Sequence, residues 1–351
     1  MQAANTNVKA ERISEIAWIR AVCTIGIVCF HFVCYTQSPL KKWMFFANGY
    51  IGELLVTMFF MVSGMVLRHN YPTVRNLGKF WMKRWKSIFP SFYLCFAFFY
   101  MENVFQAGMV LYKPEVPVWR LLLTVIGMDG YLADVLPNYY ICGEWFLGAI
   151  LILYLVYPLL CLIRRNKLFC MLGLVLLCVA FAWQAYHPVF LVNDFRNLIS
   201  CLLSFCVGMV CADHRDLLQN KIFWLISTVL TLFMLFVKLP LNYNVMTHLC
   251  GFTLFETMFG IGSYVTRAVP VQKLCAYIGT LSFPIYLVQH KIVHKVQGVA
   301  NPVGIGKALI AMALTVLLSL ACAQVLYAVT DRIMKGKIVR SIDEKIFGLK
   351  A

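Results

Sequence analysis

IAWIRAVCTIGIVCFHFVCY (16–35) is a nearly continuous apolar stretch in which Arg20 and His31 are the basic side chains. About twenty apolar residues are what an α-helix needs to cross a membrane, so the stretch predicts a membrane helix. It is too long for a cleaved signal peptide, and no small-residue cleavage site follows it. The spacing of eleven residues puts Arg20 and His31 on one helix face, roughly 16 Å apart along the axis.

Arg20 and His31 are costly to place in a membrane, because an ionisable side chain there must pair or line a polar cavity. One interpretation is a polar chamber that both residues line. The other is that Arg20 extends to the membrane surface while His31 bonds to a neighbouring helix. The first span by itself leaves both interpretations open.

The composition of the whole chain excludes a water-soluble domain. Of its 351 residues, 61% are hydrophobic and 13% are charged, and the mean hydropathy is +0.77. The sequence therefore predicts an all-α integral membrane protein with about ten transmembrane helices. The predicted spans are 15–36, 50–67, 88–107, 144–163, 168–186, 197–212, 222–238, 244–265, 275–290 and 306–329. The shorter apolar segment 118–128 predicts a re-entrant or interfacial piece.

Lysine and arginine predict the orientation. With a cytoplasmic N-terminus, the inner segments hold 21 of these residues and the outer segments hold 9, which is the bias expected of cytoplasmic loops. We therefore expect both termini to be cytoplasmic, with tails at 1–14 and 331–351 around one membrane domain, 15–330. The net charge of +16 reflects this topology and attraction to anionic lipid rather than nucleic-acid binding.

Two segments near the cytoplasmic side are candidates for helix packing or for binding. FFMVSG (59–64) ends the second span with small residues, for which close helix packing is a sufficient explanation. FWMKRWKSIFP (80–90) leads into the third span and carries Lys83, Arg84 and Lys86. It is either an interfacial anchor or a binding surface for a phosphorylated cofactor.

Two further segments lie in later spans. GEWFLG (143–148) places Glu144 at the outer end of the fourth span, either in a site or as a carboxylate at a helix start. SFPIYLVQH (282–290) carries Ser282, Tyr286 and Gln289 or His290 at helical spacing, which predicts one polar stripe. No His, Cys or carboxylate spacing is typical of a metal site.

Three other carboxylates fall in or near the spans. Glu53 and Glu102 are near outer helix ends, so we expect them to be exposed to solvent. Glu256 is in the middle of a span, where a carboxylate is a functional candidate without an assigned role.

Together these segments resemble the acyltransferase 3 family of membrane O-acyltransferases. The resemblance rests on the Arg-x10-His spacing of Arg20 and His31, on FFMVSG (59–64), and on the basic stretch before Pro90. WFL (145–147) and the Ser-x-x-Ile-Tyr-Leu pattern that starts at Ser282 follow in the expected order. It implies transfer of an acyl group, usually acetyl from acetyl-CoA, to a hydroxyl of a cell-envelope or exported glycan or lipid-linked sugar. It also implies a multi-pass enzyme of the bacterial cytoplasmic membrane.

The resemblance suggests a role for each position. His31 would act as general base or as transient acyl carrier, and Arg20 would stabilise the cofactor or the developing oxyanion. Glu144 would orient the acceptor or relay a proton. The phosphates of acetyl-CoA would bind Lys83, Arg84 and Lys86. The substrate would contact Ser282, Tyr286 and His290.

The chain departs from the family pattern at two positions. Ser87 stands where many members have a second arginine, which would shift phosphate contacts to the neighbouring lysines. Gln289 stands where members usually have histidine, with His290 directly after it. We expect no fused extracytoplasmic domain, so the protein would complete the reaction itself or with a separate extracytoplasmic partner. The alternative function is a polysaccharide or lipid-linked sugar transporter, or a proton-coupled carrier.

Overall fold

The structure is a computed structural model and describes residues 13–108, 113–143 and 145–336. These residues form twelve α-helices and one small antiparallel hairpin, in which Phe45–Phe46 pairs with Gly49–Tyr50. The helices are α1 (Ser14–Tyr35), α2 (Ile51–Asn70), α3 (Leu77–Ala107), α4 (Leu121–Val125), α5 (Trp145–Ile163), α6 (Lys167–Tyr186), α7 (Leu198–Asp213), α8 (Arg215–Leu218), α9 (Lys221–Phe236), α10 (Tyr243–Val265), α11 (Val269–Ala300) and α12 (Ile305–Met334).

Seven helices within the described ranges are long and apolar enough to cross a membrane, which confirms the all-α membrane class. They are α1, α2, α3, α5, α6, α11 and α12. The helices α7 and α9 are apolar but shorter, and α10 carries polar residues such as Asn244 and His248. Each of the ten predicted spans overlaps one of these ten helices, but α3 begins 11 residues before its predicted span and α11 extends ten residues beyond its own. The count of ten crossings and the side on which the termini lie stay predictions, and most of both tails lies outside the described residues.

The segment 118–128 forms a 3-10 turn followed by α4, with exposed apolar side chains such as Trp119 and Leu122. It lies against α3, where the Tyr93 hydroxyl donates to the Val125 carbonyl at 2.6 Å. Gly127, with a φ of 72°, lies against α5 near Leu151. The position of the segment 118–128 between α3 and α5 is compatible with a re-entrant or interfacial segment. That assignment stays a prediction.

The helices α2 and α7 approach each other at two glycines. A Cβ on Gly64 would lie 2.9 Å from the carbonyl carbon of Phe205, and a Cβ on Gly208 would lie 2.6 Å from that of Met61. Small residues allow such backbone contact between membrane helices. The close packing expected for the end of FFMVSG is therefore present at Gly64, while Ser63 lines the central cavity.

Among the described residues, buried apolar side chains form four clusters, and three of them join most of the long helices. One joins α1, α3, α11 and α12; the second joins α2, α5 and α7; the third joins α1, α2 and α10. Their fully buried members include Phe32 and Phe92, then Phe60, Tyr157 and Phe205, then Ile19, Phe255 and Phe259. A cavity lies among these helices, and the charged side chain of Arg20 and the imidazole of His31 both line it.

Candidate functional site

The candidate site forms along α1 and α11, which lie side by side and parallel. Three contacts along this pair join Arg20 to Gly279, His31 to His290 and Tyr35 to His294. In every pair the second residue is 259 positions after the first, so the two helices keep one register over four turns. We call the end where α1 and α11 begin the inner end, and the end where they finish the outer end.

A cavity of about 750 Å³ runs along this helix pair. Its walls come from α1, α2, α3, α5 and α11, together with Phe195 and Arg196. Arg84 and Ser87 line it at the inner end, and Glu53 and Arg196 line it at the outer end. Of the two interpretations of the first span, the structure favours a shared chamber, because Arg20 and His31 both line this cavity.

Imidazole and phenol rings cluster towards the outer end. The ring centroids of His31 and His290 are 4.3 Å apart, and those of Tyr35 and His294 are 4.4 Å apart. His294 was missed by the sequence analysis, although its spacing of four residues from His290 is a helical signal. Within the described ranges, no three His, Cys, Asp or Glu side chains are grouped as metal ligands.

Arg84 lies at the inner end among three aromatic rings. Its guanidinium is 5.3 Å from the Tyr71 ring centroid and donates to the Tyr71 hydroxyl at 3.4 Å. The rings of Phe80 and Tyr154 are 6.0 and 5.9 Å away, so cation–π contacts fix the position of the charge. The two other predicted phosphate ligands, Lys83 and Lys86, are on the same turns of α3 but are not in the wall of the cavity.

The predicted polar stripe of α11 faces the cavity. Ser282, Tyr286, Gln289 and His290 all line it. The Ser282 hydroxyl donates to the Gly279 carbonyl at 2.9 Å. The Tyr286 hydroxyl accepts from the Leu147 N–H at 3.1 Å, which satisfies one of the backbone donors exposed at the start of α5. Glu144, predicted next to this point, lies outside the described residues.

The carboxylates differ from what their positions in the sequence suggested. Glu53 lines the cavity with a buried Oε2 that has no hydrogen-bond partner among the described residues, so it is not simply a solvent-exposed group. Glu102 pairs with Lys295 on the outer part of α11. Glu256 is buried in α10 away from the cavity, and neither carboxylate oxygen is hydrogen-bonded within the described part of the chain.

Arg196, which the sequence analysis did not identify as a candidate, adds a cation to the outer end. It forms an ion pair with Asp134, and its guanidinium lies 5.8 Å from the Trp145 ring centroid. Glu53, Arg196 and Trp145 all line the cavity there. The outer end therefore combines a hydrogen-bond acceptor in Glu53, a hydrogen-bond donor in Arg196 and an aromatic face in Trp145.

Comparison with known proteins identifies one family. No curated protein sequence and no solved structure matches the chain. The model of the acyltransferase 3 family, described as an acyltransferase domain, matches residues 13–327, which include every helix that lines the cavity. Because this match extends over far more than half of the chain, the protein belongs to the acyltransferase 3 family.

Proposed function

We propose that the protein transfers an acyl group, acetyl in the simplest case, from acyl-CoA to a hydroxyl of a cell-envelope or exported glycan. Its place would be the bacterial cytoplasmic membrane. Membership of an acyltransferase family supports acyl transfer. The observation that carries the proposal is that one cavity holds Arg84 at its inner end and the adjacent His31 and His290 rings towards its outer end.

The donor would enter at the inner end, because CoA thioesters are made in the cytoplasm. Arg84 would bind its phosphates, since a guanidinium makes paired hydrogen bonds to phosphate oxygens. Lys83 and Lys86 would add charge beside the cavity mouth. Arg20 and Ser282 line the cavity between Arg84 and the histidines, so they would contact the arm that carries the thioester.

His31 would act as general base on the acceptor hydroxyl, since imidazole takes and returns protons near neutral pH. The hydroxyl oxygen bonds to the thioester carbonyl carbon while its proton passes to His31. The carbon–sulfur bond then breaks, and the CoA sulfur takes the proton from His31. A route in which His31 first carries the acyl group itself gives the same products. The His290 ring, 4.3 Å from that of His31, would hold this imidazole in place.

The acceptor would approach from the outer end. Tyr286 and His290 line the cavity there on α11, and Glu53 and Trp145 line it on the opposite walls. A carboxylate and an aromatic face are suited to the hydroxyls and the apolar faces of a sugar. A separate extracytoplasmic protein would be needed only if the final acceptor is too large to reach His31.

The test compares purified wild-type protein in nanodiscs with His31→Ala, using radiolabelled acetyl-CoA. We expect saturable binding by both proteins, and release of free CoA that falls at least about 100-fold in His31→Ala, the scale of a lost general base. His187→Ala is the matched control, because His187 is exposed at the end of α6, away from the cavity.

Two results would contradict the proposal. Equal CoA release by wild type and His31→Ala would remove His31 from the reaction. No binding and no release, in protein shown to be folded, would favour the carrier alternative, which flux assays in vesicles would then test.

A further inference from the structure

Gln289 has a buried side chain whose polar atoms make no hydrogen bond among the described residues. It is 1% exposed and lines the cavity on α11. Neither its Nε2 nor its Oε1 has a hydrogen-bond partner among the described residues. Leaving a buried polar group unsatisfied destabilises the fold, and buried polar groups are nearly always bonded. A carboxamide in this state on a cavity wall indicates a binding position for a polar ligand atom.

Gln289 is at the level of the two adjacent imidazoles of His31 and His290. It directly precedes His290, whose ring is 4.3 Å from that of His31. Any acyl carbonyl under attack by a hydroxyl that His31 activates must lie close to this level. Its oxygen gains negative charge as the new bond forms, so it needs a hydrogen-bond donor about 2.7–3.1 Å away.

Arg20 is too far from this level to be that donor. The Arg20 Cδ packs 3.5 Å from where a Cβ of Gly279 would be. Gly279 is ten residues before Gln289 on α11, which is roughly 15 Å along the helix axis. The guanidinium nitrogens are at most three bonds beyond Cδ. Of the two roles that the sequence suggested for Arg20, contact with the donor fits this position and stabilisation of the oxyanion does not.

Two other polar side chains of the α11 stripe are hydrogen-bonded to the protein backbone, and Ser282 uses its O–H in that bond. The Ser282 hydroxyl donates to the Gly279 carbonyl, and the Tyr286 hydroxyl accepts from the Leu147 N–H. A glutamine amide supplies two N–H donors without a charge, and Asn and Gln side chains serve as oxyanion donors in other acyl-transfer sites.

We infer that Gln289 is a catalytic residue whose amide N–H donates to the carbonyl oxygen of the acyl thioester. This inference rests on the proposed function. As the acceptor oxygen bonds to the carbonyl carbon, the carbonyl electron pair moves onto oxygen, and Gln289 Nε2 holds that charge. When the pair returns, the carbon–sulfur bond breaks and CoA leaves with the proton from His31.

The test is Gln289→Met, which keeps the length of the side chain and removes both polar atoms. We expect kcat for acetyl-CoA turnover to fall about 100-fold, the scale of one lost oxyanion donor. Binding of an inert acyl-CoA analogue, with CH₂ in place of the thioester sulfur, should change by less than about threefold, because the ground state makes little use of the contact. The unfolding temperature should equal or exceed that of wild type, since an unsatisfied amide is replaced by an apolar group.

Gln184→Met is the matched control. Gln184 is also 1% exposed, but its Nε2 donates to the Ser200 hydroxyl at 2.9 Å and its Oε1 accepts from Asn197. Replacing it breaks satisfied hydrogen bonds away from the cavity, so we expect a lower unfolding temperature with kcat retained. The two glutamines should thus show opposite patterns of activity and stability.

Gln289→Glu is the second variant, for use whether or not the methionine protein folds. It keeps the shape of the side chain and removes the N–H donors, so the same loss of kcat is expected. Wild-type kcat in either folded Gln289 variant would overturn the inference while the proposed function stands. A folded wild-type protein that neither binds acetyl-CoA nor releases CoA would instead overturn the proposed function.

Discussion

Replacing Gly64 or Gly208 by alanine should force α2 and α7 apart. A Cβ on Gly208 would lie 2.6 Å from both the Cα and the carbonyl carbon of Met61, and a Cβ on Gly64 would lie 2.9 Å from the carbonyl carbon of Phe205. Non-bonded carbon atoms rest about 3.5–4.0 Å apart. Because the obstructing atoms are backbone, no rotation of a side chain relieves the overlap, and the helices must separate by about 1 Å.

The cost follows from the side chains at this interface. Phe60, Met61 and Met65 on α2 and Phe205 and Met209 on α7 are all buried. A gap of 0.5–1 Å already removes about a quarter to a half of the dispersion energy of a contact. Overpacking usually costs about 1–3 kcal/mol and sometimes more. With rigid backbone on both sides, we expect each substitution to cost about 3–4 kcal/mol.

The assay is reversible unfolding in mixed micelles by increasing denaturing detergent, followed by circular dichroism. The double variant should cost less than the sum of the single variants, because one separation of the helices accommodates both methyl groups. Gly173→Ala in α6 is the control: its Cβ would meet only Ile163, at an ordinary 3.9 Å. It should be neutral or stabilising by up to about 1 kcal/mol. Wild-type stability of Gly64→Ala and Gly208→Ala would refute the close helix approach.

Arg84→Lys should raise the KM for acyl-CoA about tenfold with kcat little changed, because a lysine loses the planar hydrogen-bonding geometry and the stacking of the guanidinium; a larger effect of Lys83→Ala in steady-state kinetics would contradict this. Burial raises the pKa of Asp129 from 3.8 to about 6, against the effect of hydrogen bonds from the Gly130 N–H and the Thr124 hydroxyl. The folded state therefore holds this proton more tightly than the unfolded state, so Asp129 should make the protein less stable as pH rises from about 4 to 6, with a constant cost above that range. Asp129→Asn should remove this decrease in stability. The assay compares the unfolding midpoints of both proteins at pH 4 to 7. An equal change of midpoint with pH in the two proteins would contradict the prediction.

Much of the architecture and of the α1 stripe could be predicted because both depend on local sequence. Composition and the length of apolar runs determine the membrane class. The helical repeat of 3.6 residues determines that Arg20 and His31 share a face, as do Ser282, Tyr286 and Gln289. A basic segment before a span also marked Arg84, which the structure places in the cavity wall.

The pairing of these faces depends on residues far apart in the chain. The predicted topology makes α1 and α11 cross the membrane in the same direction, but nothing local shows that they are neighbours with an offset of 259 residues. This register brings His31 to His290 and leaves Arg20 near Gly279. Periodicity fixes the direction of a side chain around its own helix and says nothing about which helix it meets.

The sequence by itself thus determined the membrane-helix class, the polar stripes and the family to which the chain belongs, because each is set by residue type and spacing. Only the tertiary structure decided that Glu53 lines the cavity and that Gln289 is buried there with no hydrogen-bond partner among the described residues. It alone showed that Gly64 and Gly208 allow α2 to meet α7. The physical reason is that burial and hydrogen-bond satisfaction are properties of packed neighbours, which come from helices distant in sequence.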